Sequence, residues 1–93
     1  MRKFMIERAI PGVGSLDSCQ LGEAAKKSNA ALAELAPRVQ WQHSYVTGER
    51  TFCVYLAENE DAIRVHAEKS GFPATKITEI TSVIDPSTEN NRA

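Results

Sequence analysis

Cysteine is scarce in this chain of 93 residues: there are two, Cys19 and Cys53, far apart in sequence. Two are too few for a disulfide framework, and both are read as reduced thiols. Nor can they supply the four ligands usual for an iron–sulfur cluster, so no such cluster is expected. An excess of charge of one sign is equally lacking. Eleven Lys and Arg against twelve Asp and Glu give a formal net charge of -1, and the basic residues are scattered. That excludes the basic face a nucleic-acid partner needs. No apolar run approaches the roughly 20 residues of a membrane-spanning helix. The opening, residues 1–7, starts basic like a signal peptide, but Glu7 and Arg8 interrupt the apolar region too soon. A cytoplasmic location with no membrane partner is the expectation.

Compact catalytic signatures are missing too. Pro11-Gly12-Val13-Gly14-Ser15 has neither the spacing of a dinucleotide-binding fingerprint nor the Lys of a phosphate-binding loop. There is no CxxC, no HxxxH, no nucleophile elbow and no zincin motif.

What is present is organised around a hairpin over residues 39–56. It reads VQWQHSYV, a polar break at Thr47-Gly48-Glu49-Arg50, then TFCVYL. β-Branched and aromatic residues on either side of a Gly-containing turn mark strand, turn and strand. The only Trp, both Tyr, one of two His and one of two Cys fall here. Before it, residues 3–8 alternate as a first strand, with Phe4 and Ile6 on one side and Met5 and Glu7 on the other. Asp17 with Gln20 forms a capping-box pattern. It opens a helix that carries Leu21, Ala25, Ser28, Leu32 and Leu35 on one stripe and stops at Pro37.

After the hairpin a second helix starts near Glu58 or Asn59. It faces inward with Ala62, Ile63, His66, Ala67 and Ser70 and ends at Gly71. Residues 77–84 predict a fourth strand closed by Asp85-Pro86, and 87–93 a frayed polar tail. The order is β-α-β-β-α-β, an α+β fold of ferredoxin-like type: a four-stranded antiparallel sheet with two helices on one face, residues 1–86 forming one domain. The opposite sheet face must be solvated, covered by a partner or used for binding. A chain this small gains burial by pairing with a copy of itself, so a homodimer is expected.

Candidate chemistry depends on the hairpin register. A three-residue loop sets His43 opposite Cys53 and Trp41 opposite Tyr55, so that imidazole and thiol could share a metal ion. A two- or four-residue loop sets His43 opposite Val54 and turns Cys53 to the other face. That register gathers Trp41, Phe52, Val54 and Leu56 on one apolar face, with His43 partly buried and Cys53 a small filler. His66, on the inward side of its helix, is either a structural histidine or a further ligand. Glu7 is a candidate ligand or general base, or a partner of Arg50. Tyr45, Tyr55 and Trp41 are candidate pocket-lining or dimer-contact residues.

Several segments resemble a known family. They are Phe4-Met5-Ile6-Glu7-Arg8 with Ile10-Pro11-Gly12, the Trp41…Ser44-Tyr45-Val46-Thr47 strand, Cys53-Val54-Tyr55, Ile63-Arg64…His66-Ala67, Gly71-Phe72-Pro73-Ala74 and Val83-Ile84-Asp85-Pro86. Together they resemble a small bacterial family, long labelled a domain of unknown function, that includes a nickel-binding, nickel-responsive protein. The resemblance implies a ferredoxin-like homodimer and nickel, or another divalent transition metal, bound by side chains of that dimer. The Glu7, Tyr45, Cys53 and His66 positions match by motif; His43 is not assigned to the pattern, and its role rests on local chemistry alone. The leading expectation is a non-enzymatic metal-binding protein. The alternative is a small cofactor-free dimeric α+β-barrel enzyme, an isomerase or oxygenase, with Glu7, His43, His66 or Tyr45 around an apolar pocket. The identity of any small-molecule ligand is left open.

Overall fold

The computed structural model describes residues 1–90. Strand β1 (Arg2–Ala9) leads through a single 3-10 turn (Val13–Ser15) to helix α1 (Ser18–Leu35). The hairpin β2 (Val39–Val46) and β3 (Arg50–Ala57), helix α2 (Glu60–Ser70) and strand β4 (Lys76–Ile80) follow. The sheet order is β2-β3-β1-β4, and every pairing is antiparallel. This is the expected ferredoxin-like α+β arrangement.

Local signals set the helix ends. Asp17 accepts from the Gln20 backbone N–H at 2.8 Å, and the Gln20 side chain accepts from the Asp17 N–H at 3.0 Å, completing the capping box. Asn59 caps α2 by accepting from Ala62 N–H at 2.9 Å. Gly71 closes α2 in the left-handed region, φ 76°, where a side chain would be strained. Gly14 has a different reason to be glycine. A Cβ there would lie 2.6 Å from the Thr47 carbonyl oxygen, because the 3-10 turn packs onto the hairpin turn.

One sheet face and the inner sides of both helices form the core. Phe4, Ile6, Cys53, Tyr55, Ala57, Leu35, Ala62 and Ile63 cluster there. Phe4, Ile6 and Ile63 are each at most 1% exposed, and each contributes about 1.5–3 kcal/mol by burial. All five residues expected to face inward from α2 are buried. Among the described residues the other sheet face carries no helix. Strand parity puts Lys3, Met5 and Glu7, Gln40, His43 and Tyr45, Phe52, Val54 and Leu56, and Thr78 and Ile80 on it.

Two terminal expectations need correction. The fourth strand stops at Ile80 rather than 84, because β1 runs out: Ile80 pairs with Lys3, leaving at most two residues for further pairing. Val83 and Ile84 are consequently 68% and 77% exposed. Residues Pro86–Asn90 form a 3-10 turn instead of a frayed tail. Asp85 organises it by accepting from Ser87 N–H at 2.8 Å and donating its own N–H to Thr88 Oγ1 at 2.8 Å. The remainder of the expected tail, 91–93, lies outside the described residues.

Candidate functional site

The hairpin combines features of both registers. Val46 pairs with Thr51, and Thr47 N–H donates to the Arg50 carbonyl at 2.9 Å, so four residues close the turn. His43 therefore stands opposite Val54 and Cys53 opposite Ser44. A bulge between Trp41 and His43 then restores the other parity, setting Trp41 opposite Tyr55. This corrects two expectations. His43 and Cys53 project from opposite faces and cannot grip one ion in the same chain. Trp41 leaves the Phe52–Val54–Leu56 face and packs against the core beneath the helices.

The open face thus holds His43, Tyr45 and Glu7. His43 is exposed rather than partly buried, and its ring meets that of Tyr45 edge-on, centroids 5.2 Å apart. Glu7 is separated from both by β3, which is roughly 10 Å at two strand spacings. Its neighbours across the sheet are Phe52 and Lys76. Among the described residues it makes no ion pair within 4.0 Å, so of its alternative roles the pairing with Arg50 is not formed.

The helix-covered face holds the other candidates. His66 is fully buried, and its Nε2 lies 3.3 Å from Ser28 Oγ, which in turn lies 3.5 Å from the Tyr55 hydroxyl. The Tyr55 and His66 rings meet at 70° with centroids 5.1 Å apart. Burial, reinforced by the charge of Arg8, holds the imidazole below its ordinary 6.5. Burial likewise raises the Tyr55 phenol above 10.0, so His66 is neutral and Tyr55 protonated at neutral pH. Cys53 is buried too, with its thiol 3.6 Å from Thr51 Oγ1. Among the described residues no three His, Cys, Asp or Glu side chains converge as a metal site. Cys53, His66, Glu7 and His43 are thus spread over two faces, and a single chain assembles no set of metal ligands from them.

Between α1, the 3-10 turn and this sheet face lies a cavity of about 270 Å³. Trp41 and Tyr55 line it; Tyr45, on the opposite face, does not. The lining is apolar except for Arg8, Ser28, Ser44, Thr51, Cys53 and the Tyr55 phenol. Arg8 is the residue the sequence reading overlooked. It is 3% exposed, with its guanidinium carbon 5.9 Å from the Tyr55 ring centroid. The signal was present: Arg8 continues the Phe4, Ile6 alternation onto the core face. None of Glu7, His43, His66 and Tyr45 lines this cavity.

Fold and site together define a small ferredoxin-like α+β domain with a half-open cavity, lined by a buried arginine, on one face of its sheet and an uncovered, half-apolar face on the other. Residues 4–80 match the family described as nickel responsive protein SCO4226-like, and the chain belongs to that family. Among solved structures, it is similar to the crystal structure of SCO4226 from Streptomyces coelicolor A3(2). The TM-score is 0.71 at 23% identity, covering 88% of this chain and 99% of that one. No curated protein matches the chain. Among the described residues, no helix is long and apolar enough to cross a membrane.

Proposed function

We propose that this protein is a non-enzymatic homodimer of the cytoplasm that binds nickel, holding or sequestering the ion between copies rather than inside one chain. The observation that carries the reading is the exposed His43 imidazole beside Tyr45 on the uncovered sheet face, in a chain of a nickel-responsive family. Neutral imidazole is a good ligand for nickel, though copper and zinc compete for the same donor. One chain brings too few donors to that face at one point, so a second copy must supply the rest. The same face favours pairing: Met5, Phe52, Leu56 and Ile80 are only half-buried there, and no helix covers them. Exposed Val83 and Ile84 add apolar surface that a second copy would bury. The two free thiols suit a reducing compartment.

Calorimetry of metal-stripped protein in chelator-free buffer, with sedimentation run alongside, tests this. The expected result is saturable nickel binding by a dimer, weakened at least tenfold by His43→Ala with the fold retained. A monomer at all accessible concentrations, or no heat of nickel binding, removes the proposal.

A further inference from the structure

The cavity under α1 carries a charge that nothing in the metal reading uses. Arg8 Nη1 donates to the Pro73 carbonyl at 2.8 Å and the Phe72 carbonyl at 3.4 Å, but Nη2 is buried without a hydrogen-bond partner. Among the described residues no carboxylate lies within 4.0 Å of this guanidinium. A buried cation without a counter-ion is costly, and so is an unsatisfied donor beside it. We propose that the cavity is a binding site for a small organic acid, one carboxylate on an apolar body, with the carboxylate on Arg8 and the body between α1 and the sheet.

Four features fit that ligand. A guanidinium matches a carboxylate in shape as well as charge. The Tyr55 ring lies 5.9 Å from the guanidinium carbon, and its hydroxyl ends a row running His66 Nε2, Ser28 Oγ, Tyr55 Oη. With the imidazole proton on Nε2, His66 donates to Ser28 and Ser28 to Tyr55, leaving the phenol hydrogen for an outside acceptor. Apart from Ser44, Thr51 and Cys53 the remaining wall is apolar, and it includes Leu16, Leu21, Ala24, Ala25, Trp41 and Phe72. At the roughly 30 Å³ a water molecule occupies in the liquid, the volume of about 270 Å³ holds about nine water-sized groups, close to the non-hydrogen atoms of an eight-carbon acid.

The experiment pairs octanoate with octan-1-ol, which share a tail and differ in the charged head. Titrations followed by calorimetry and by amide shifts in two-dimensional NMR should show octanoate binding at least tenfold more tightly, with the largest shifts at Ala24, Ala25 and Ser28. Arg8→Gln should abolish that preference. Tyr55→Phe should weaken octanoate several-fold, and Ala25→Leu, which fills the cavity, should weaken both probes. Equal affinities for the two probes in the unmodified protein overturn the proposal, as does octanoate binding that shifts only residues of the open sheet face. Because that comparison uses the unmodified chain, it decides the matter even if Arg8→Gln does not fold.

Discussion

Acidification should destabilise this protein through one histidine. His66 has no exposed surface, and burial and the neighbouring Arg8 charge place its folded pKa below the ordinary 6.5. In the unfolded chain it returns to about 6.5. Between those two values the unfolded state holds the extra proton, so stability rises with pH across the interval. The stabilisation of the neutral form is complete well above about 6.5 and is lost as pH falls from there towards the folded value. For one proton the loss between about pH 7.5 and about pH 5.5 cannot exceed roughly 1.4 kcal/mol. In a domain of this size that ceiling is a fall of about 6–11 °C in Tm.

Glu79 and Asp85 contribute in the same direction at lower pH. Arg2 holds Glu79 below its ordinary 4.5, and Ser87 holds Asp85 below 3.8, so the upper interval isolates the histidine. Urea titrations at half-unit pH steps, on the unmodified protein and on His66→Gln, read the effect directly. The variant can keep a polar group near Ser28 but cannot take up the proton, so its stability should be level across the interval. A level profile in the unmodified protein, or the same slope in His66→Gln, refutes the reasoning.

Other consequences are separately measurable. Ile63→Ala should cost about 2–5 kcal/mol in urea unfolding, since Ile63 is fully buried between α2 and the sheet. Asn59→Ala removes the cap of the helix that carries His66 and should cost about 0.5–2 kcal/mol, read the same way. A thiol-reactive chromophore should label exposed Cys19 in the native protein and buried Cys53 only on unfolding, giving one equivalent and then two.

Much of the architecture was legible because its signals are short-range. Asp17 with Gln20, Asn59 and Gly71 announce helix ends within four residues of chain, and the alternation of Phe4 and Ile6 defines a strand face without reference to anything distant. The fourth strand was overextended for a related reason. Residues 77–84 look uniform as a strand, but how far they pair depends on how much of β1 lies opposite, and Lys3 is already level with Ile80. The candidate site was less legible. Glu7 and Arg8 are adjacent, yet one lies on the open face and the other in the core. The reading followed the carboxylate and passed over the guanidinium, since a buried arginine runs against expectation.

The amino-acid order by itself determined the sequence of elements, the capped helices and the inward face of α2, because hydrogen-bond caps and the two side-chain periods act over a few residues. The tertiary structure alone decided where the polar groups meet. A bulge at one position of β2 sends Trp41 inward and His43 outward, and no periodic pattern contains that extra residue. The row of His66, Ser28 and Tyr55 joins α2, α1 and β3, three elements whose approach is fixed by packing and not by any local spacing.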